Sequence, residues 1–205
     1  MRPRRVVLAT RNPHKVEELR RILAATPPGP DAVQLVGLEE FPSIGEVAET
    51  GATFAANALL KAAAVAAQSG EIAIADDSGL TVAALNDMPG VLSARWAGRY
   101  GDDEANLRLV LAQIADVPDE RRGGAFVCAA AAVAPDGREV VVHGRIDGWI
   151  LRAPRGRNGF GYDPIFRPNG HDRTTAEMTP ADKDAISHRG RAFRTLAPRL
   201  AELLR

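Results

Sequence analysis

The sequence predicts a mixed α/β protein: a mixed twisted sheet with flanking helices. Three observations carry this expectation. Apolar runs of strand length at residues 5–9 and 71–75 are separated by segments with helical periodicity, and a long hairpin pattern occupies residues 126–146. At 205 residues, the chain is the size of one domain, or of one domain with two lobes.

Taken in order, residues 5–9 read as a buried strand, and Val16, Leu19, Ile22 and Leu23 then repeat at helical spacing. TPPGPD at 26–31 reads as a loop, and residues 33–36 as a second strand. Residues 53–68 form an alanine-rich helix carrying Phe54, Leu59, Leu60 and Val65. The strand at 71–75 runs into Asp76 and Asp77, after which a turn is expected at Ser78 and Gly79. Residues 102–115 make an amphipathic helix with Leu107, Val110, Leu111 and Ile114 on its inner face. Strands at 126–134 and 139–146 flank Pro135-Asp136-Gly137 as an antiparallel hairpin. Residues 152–164 read as a second loop, and a helix over 191–204 comes last.

Composition excludes several classes of function. The 26 basic and 26 acidic residues cancel, so no bulk field holds nucleic acid or an anionic membrane. Any polyanion must be met locally. Cys128 is the only cysteine, which rules out an internal disulfide and any CxxC metal or redox pair and fits a reducing cytoplasm. The apolar run near the start is too short for a signal peptide, and the longest uncharged stretches fall short of the roughly 18 residues of a spanning helix. Of the 26 basic residues only Lys15, Lys61 and Lys183 are lysines, which singles out three positions where a compact ammonium is used instead of a planar fork.

Five stretches could carry chemistry. Residues 10–15 (TRNPHK) follow a strand and open a helix, with Asn12 suited to the N-cap and Pro13 to the first turn. Thr10, Asn12 and Lys15 there fit a phosphate cradle at the positive end of the helix dipole, or a capped surface helix whose lysine is solvated or pairs with Glu18. Glu49 precedes the next helix, on which Thr53, Asn57 and Lys61 make one polar stripe, either a binding face or a solvent-facing edge. Asp76 and Asp77 at a strand end offer oxygen ligands suited to Mg²⁺, or simply a polar turn. Strand alternation aims them at opposite faces, with Asp77 expected toward the site. Ser78 lacks the GxSxG context of a nucleophile. Phe160, between two glycines in RNGFGYDP, offers a ring for stacking a base, unless it and Tyr162 are core residues. Lys183, Ser187, His188 and Arg189 cluster before the final helix as phosphate or base-edge donors, or as a basic helix start. His14, His143 and His171 show no metal spacing and read as structural or surface residues.

Five segments in this order resemble the inosine triphosphatase family of dITP/XTP pyrophosphatases: LATRNPHKVEEL, ETGATFAANALLKA, IADDSGL with PGVLSARWAG, FGYDPIF, and AEMTPADKDAISHRGRAF. They span nearly the whole chain and contain all three lysines. The resemblance implies two lobes around a central nucleotide cleft and, usually, a homodimer. It implies that Thr10, Arg11, Asn12, Pro13, His14, Lys15 and Lys61 hold a triphosphate, and that Glu49 and Asp77 bind Mg²⁺. Asp77 would accept the proton of the attacking water, and Ser78 would touch phosphate. Phe160, Gly161, Tyr162 and Asp163 would form the base platform, and Lys183, His188 and Arg189 would complete the pocket. Arg11 stands where the family often has a small residue, and Leu92 and Trp96 where it often has tyrosines.

The expected reaction is Mg²⁺-assisted hydrolysis of ITP, dITP or XTP to the monophosphate and pyrophosphate in the cytoplasm, with neither nucleic acid nor membrane as partner. His188 or Arg189 donating to a 6-oxo group would disfavour adenine, whose amino group leaves that donor unpaired. The alternatives are a pyrophosphatase for other modified nucleotides, which a triphosphate panel separates, and a nucleotide sensor, which would bind without turnover.

Overall fold

A computed structural model describes residues 4–25 and 33–204; the loop expected at 26–31 lies outside them. The elements run β1 (Arg4–Leu8), α1 (Pro13–Ala24), β2 (Val33–Gly37), α2 (Phe54–Ser69), β3 (Ile72–Val82), β4 (Met88–Pro89), α3 (Asp103–Gln113), β5 (Gly123–Val133), β6 (Glu139–Ile150), β7 (Phe166–Pro168), α4 (Pro180–Ile186) and α5 (His188–Leu203). Among the described residues the strands form one mixed sheet in the order β2-β1-β3-β5-β6-β7, with β4 on β3. β1 runs parallel to both neighbours, Val7 lying opposite Val36 and Ala73.

The helices start where the sequence supplies caps. Asn12 accepts the N–H groups of His14 and Lys15 ahead of α1, Thr53 accepts from Ala56 ahead of α2, and Asp102 from Ala105 ahead of α3. Such caps contribute about 1 kcal/mol each. α2 ends on Gly70 in the left-handed conformation.

Two compact units result. The first comprises residues 1–77, 128–144 and 189–205, and the second residues 78–127 and 145–188. In the first, strand alternation builds two cores. Val6, Leu8, Ile72 and Ile74 pack with Leu19 and Ile22 of α1 and Phe193 and Leu196 of α5. Val7, Ala73 and Ala75 pack on the other face with Ala58, Ala62 and Val65 of α2. In the second unit Leu80, Val82, Ile146 and Ile150 pack with Leu107, Val110 and Ile114 of α3.

The structure corrects the expected turn at Ser78 and Gly79: β3 continues through both to Val82. Leu80 and Val82 extend the buried alternation, Leu80 donates its N–H to Ser93 Oγ at 2.9 Å, and Thr81 and Val82 pair with β4. Tertiary pairing thus overrides the local turn preference. The hairpin strands are longer than expected, and the stretch before the last helix is itself helical, α4, with α5 beginning at His188.

Candidate functional site

Alternation along β3 sorts the two aspartates. Asp76 continues the series Ile72, Ile74 and meets α1 and α5; Asp77 continues Ala73, Ala75 and meets α2. Both are buried.

On the α1 face, Lys15 Nζ lies 3.2 Å from Asp76 Oδ2. Arg189 Nη2 donates to the same oxygen at 3.1 Å and its Nη1 donates to Glu18 Oε2. This arginine is 2% exposed, and the two carboxylates beside it raise its pKa against the opposing effect of burial. Lys15 therefore pairs with Asp76 and not with Glu18. The loop before α1 is organised locally: Thr10 Oγ1 accepts the Asn12 N–H at 3.2 Å, and Arg11 donates to the Ile44 carbonyl. Arg11, Pro13 and His14 are exposed.

On the α2 face the polar stripe turns inward. Asn57 is fully buried; its Nδ2 donates to Asp77 Oδ2 at 3.0 Å while its Oδ1 accepts the Gly51 N–H at 2.7 Å. A Cβ on Gly51 would come within 2.7 Å of that same oxygen, so the close approach requires glycine. One turn further on, Lys61 Nζ lies 2.5 Å from Glu49 Oε1 and 3.8 Å from Asp77 Oδ1. Burial works against its charge, but the carboxylates of Asp76, Asp77 and Glu49 outweigh burial and hold its pKa above the usual lysine value. Burial likewise pushes the Asp77 carboxyl up, against the pull of Lys61, Lys15 and the Asn57 hydrogen bond.

Among the described residues, no group of three or more His, Cys, Asp or Glu side chains could hold a metal ion. Two carboxylates suffice for Mg²⁺, which takes one or two from protein and the remainder of its shell from phosphate and water. Glu49 and Asp77 fit that requirement, since both reach one cation, the ammonium of Lys61.

In the second unit, Phe160 is half-buried between Gly159 and Gly161, both with positive φ. Its N–H donates to Asp163 Oδ2 at 2.9 Å, and the Gly161 N–H donates to Asp103 Oδ2 at 2.8 Å. Tyr162 is a core residue whose hydroxyl donates to the Ser93 carbonyl at 2.8 Å. Burial, followed by the charge of Asp103, raises its pKa and keeps it a donor. Asp163 accepts from Thr175 Oγ1 at 2.7 Å and from Lys183 Nζ at 2.6 Å, which places that ammonium 5.1 Å from the centre of the Phe160 ring. His188 is buried with its ring stacked on Phe126 at 4.9 Å. Ser78 is half-buried in β3, and His143 and His171 are exposed.

The first unit thus gathers Thr10, Asn12, Lys15, Glu49, Lys61, Asp76 and Asp77, together with Arg189. The second gathers Phe160, Gly161, Tyr162, Asp163 and Lys183. Glu18, Asn57, Ser93 and Asp103 hold these residues in place. The sequence marks Asn57 only as part of the polar stripe with Thr53 and Lys61 and Glu18 only as a possible partner of Lys15, and it marks neither Ser93 nor Asp103.

The Ham1 family model matches residues 6–199. The dITP/XTP pyrophosphatase of Streptomyces coelicolor is 58% identical over 200 residues, covering 98% of each chain. The crystal structure described as nucleoside-triphosphatase / dITP/XTP pyrophosphatase from Mycobacterium abscessus is 57% identical with a TM-score of 0.77, over 95% of this chain and 99% of that one. A HAM1 protein structure from Coxiella burnetii is 41% identical with a TM-score of 0.85, over 97% and 99%. With a match of this extent and segment order, the chain belongs to the Ham1 family.

Proposed function

We propose that this protein hydrolyses the triphosphates of aberrant purine nucleosides, ITP, dITP and XTP, to the nucleoside monophosphate and pyrophosphate. It is a hydrolase acting on a phosphoric anhydride, in keeping with relatives named dITP/XTP pyrophosphatase that match nearly its full length. The observation that carries the site is the pairing of Lys15 with Asp76 and of Lys61 with Glu49 and Asp77, two ammonium groups and an acidic pair gathered by β3.

In this reading a water oxygen forms a bond to the α-phosphorus, the bond to the bridging oxygen breaks with its electron pair leaving on pyrophosphate, and Asp77 accepts the water's proton. Asn57 keeps the acceptor oriented through its bond to Oδ2. Lys15 and Lys61, with the N–H groups that open α1 and the hydroxyl of Ser78, take the charge of the triphosphate as it shifts onto the departing pyrophosphate. Mg²⁺, held by Glu49 and Asp77, would supply positive charge against the phosphates.

The purine is assigned to the residues around Phe160. Phe160 offers a half-exposed ring, fixed by Asp163, Asp103 and the Lys183 ammonium. His188 is assigned as donor to the 6-oxo group. Arg189 is assigned to holding Asp76 against Lys15, because its N–H groups already donate to Asp76 and Glu18. A cytoplasmic homodimer without nucleic-acid or membrane partners completes the reading; among the described residues no helix is long and apolar enough to cross a membrane. Incubation with ITP and Mg²⁺ tests it: inosine monophosphate and pyrophosphate are expected, whereas inosine diphosphate and orthophosphate would contradict the cleavage point.

A further inference from the structure

The position of Lys61 carries a consequence for the order in which the site is filled. Its ammonium lies against both carboxylates assigned to the metal, 2.5 Å from Glu49 Oε1 and 3.8 Å from Asp77 Oδ1. A divalent ion takes carboxylate oxygens at about 2.0–2.1 Å for Mg²⁺. An ion sharing Glu49 Oε1 would stand less than about 5 Å from the ammonium, and two cations at such separation in a partly buried site repel strongly. The carboxylates therefore bind the metal less well while they keep Lys61 in this arrangement.

The backbone leaves Lys61 the means to leave. It is carried on α2, one turn beyond Asn57, which fixes Asp77 through Oδ2 and leaves Oδ1 toward the ammonium. Glu49 stands in the segment before α2, outside helix and strand. The lysine stem is long and its three donors rotate, so the head can change partner without moving the helix. The carboxylates that face Lys61 are those of Glu49 and Asp77.

We infer that Lys61 is a resident counter-ion of the metal site: without nucleotide it occupies the Glu49–Asp77 pair and suppresses divalent-cation binding, and it moves to the triphosphate when the metal takes its place. This rests on the assignment of Glu49 and Asp77 as metal ligands. Metal and triphosphate then bind cooperatively, because each removes what holds the other off, and the coupling is reciprocal. The site stays charge-compensated when empty and discriminates against loading by cation alone.

The test uses the full chain without nucleotide. Because the protein has three lysines, ¹³C labelling at lysine Cε gives three resonances, with that of Lys61 assigned by its loss in Lys61→Met. During a Mg²⁺ titration followed in parallel by calorimetry, the Lys61 signal is expected to move in step with metal occupancy. Lys61→Met is expected to bind Mn²⁺ on the order of tenfold more tightly than wild type, within the range for coupled sites. Glu49→Gln is expected to bind it more weakly than wild type. A Lys61 signal that stays still while the metal saturates would overturn the inference, as would Lys61→Met binding Mn²⁺ no better than wild type, or no binding by either. If Lys61→Met does not fold, the titration of the wild type decides alone. Pyrophosphate release from ITP by the wild type is measured separately. Turnover with a stationary Lys61 refutes this inference only, and a displaced Lys61 without turnover refutes the functional reading only.

Discussion

Replacing Arg189 by methionine removes a guanidinium that joins Glu18 of α1 to Asp76 of β3, within the first unit. The side chain keeps its apolar stem, so the main loss is charge. Glu18, Asp76 and Arg189 are all buried, at 6%, 1% and 2% exposure, so water cannot take over. Removing one partner of a buried ion pair costs about 3–5 kcal/mol through the charge left behind. Lys15 remains 3.2 Å from Asp76, which places the loss at the low end, about 3 kcal/mol. For a chain of this size that is a fall in Tm of about 6–12 °C. Circular dichroism melts at pH 7 and pH 5 read both the size and its origin. The deficit shrinks as pH falls, because a stranded buried carboxylate that takes up a proton no longer leaves a charge uncompensated. Arg189→Lys recovers part of the loss, since an ammonium cannot span both acids as a planar fork does. A loss below about 1 kcal/mol, the level of a surface pair, refutes the reasoning.

Asp77→Asn is expected to lower pyrophosphate release from ITP by about 10²-fold or more, the scale of a lost general base. The metal-free variant melts no lower than wild type at pH 7: burial raises the folded-state pKa of Asp77, so its ionised form destabilises the fold above that pKa. The advantage vanishes below the unfolded-state value, and an Asp77→Asn variant that melts lower at neutral pH contradicts this. Phe160→Ala is expected to raise KM for ITP by roughly fivefold to a hundredfold, the worth of one stacked base, with kcat changed far less; an unchanged KM removes Phe160 from the base site. Gly159→Ala forces a Cβ toward the Asp163 carboxylate at a φ of +75°, and is expected to cost about 1–3 kcal/mol in melts and to raise KM.

The extent to which this was legible in sequence differs by residue. Strand alternation was enough to aim Asp76 and Asp77 at opposite faces, because the period of two is local and both faces are buried. The scarcity of lysine marked Lys15, Lys61 and Lys183, and all three form ion pairs with carboxylates in the fold. Arg189 could not be placed, since its partner Glu18 lies 171 residues away and reads locally as a partner for Lys15. The turn expected at Ser78 and Gly79 failed for a related reason: the pairing of β3 with β4 and the Ser93 hydroxyl, which keep the chain extended, are long-range contacts. Asp103 drew no reading from the sequence, and only the folded chain shows it accepting the Gly161 N–H beside the aromatic platform.

The most direct measurement is hydrolysis of ITP with Mg²⁺ in ¹⁸O-water, resolved by ³¹P NMR. Inosine monophosphate carrying the label, beside unlabelled pyrophosphate, is the predicted outcome. Labelled pyrophosphate, labelled orthophosphate with inosine diphosphate, or intact ITP would each contradict it.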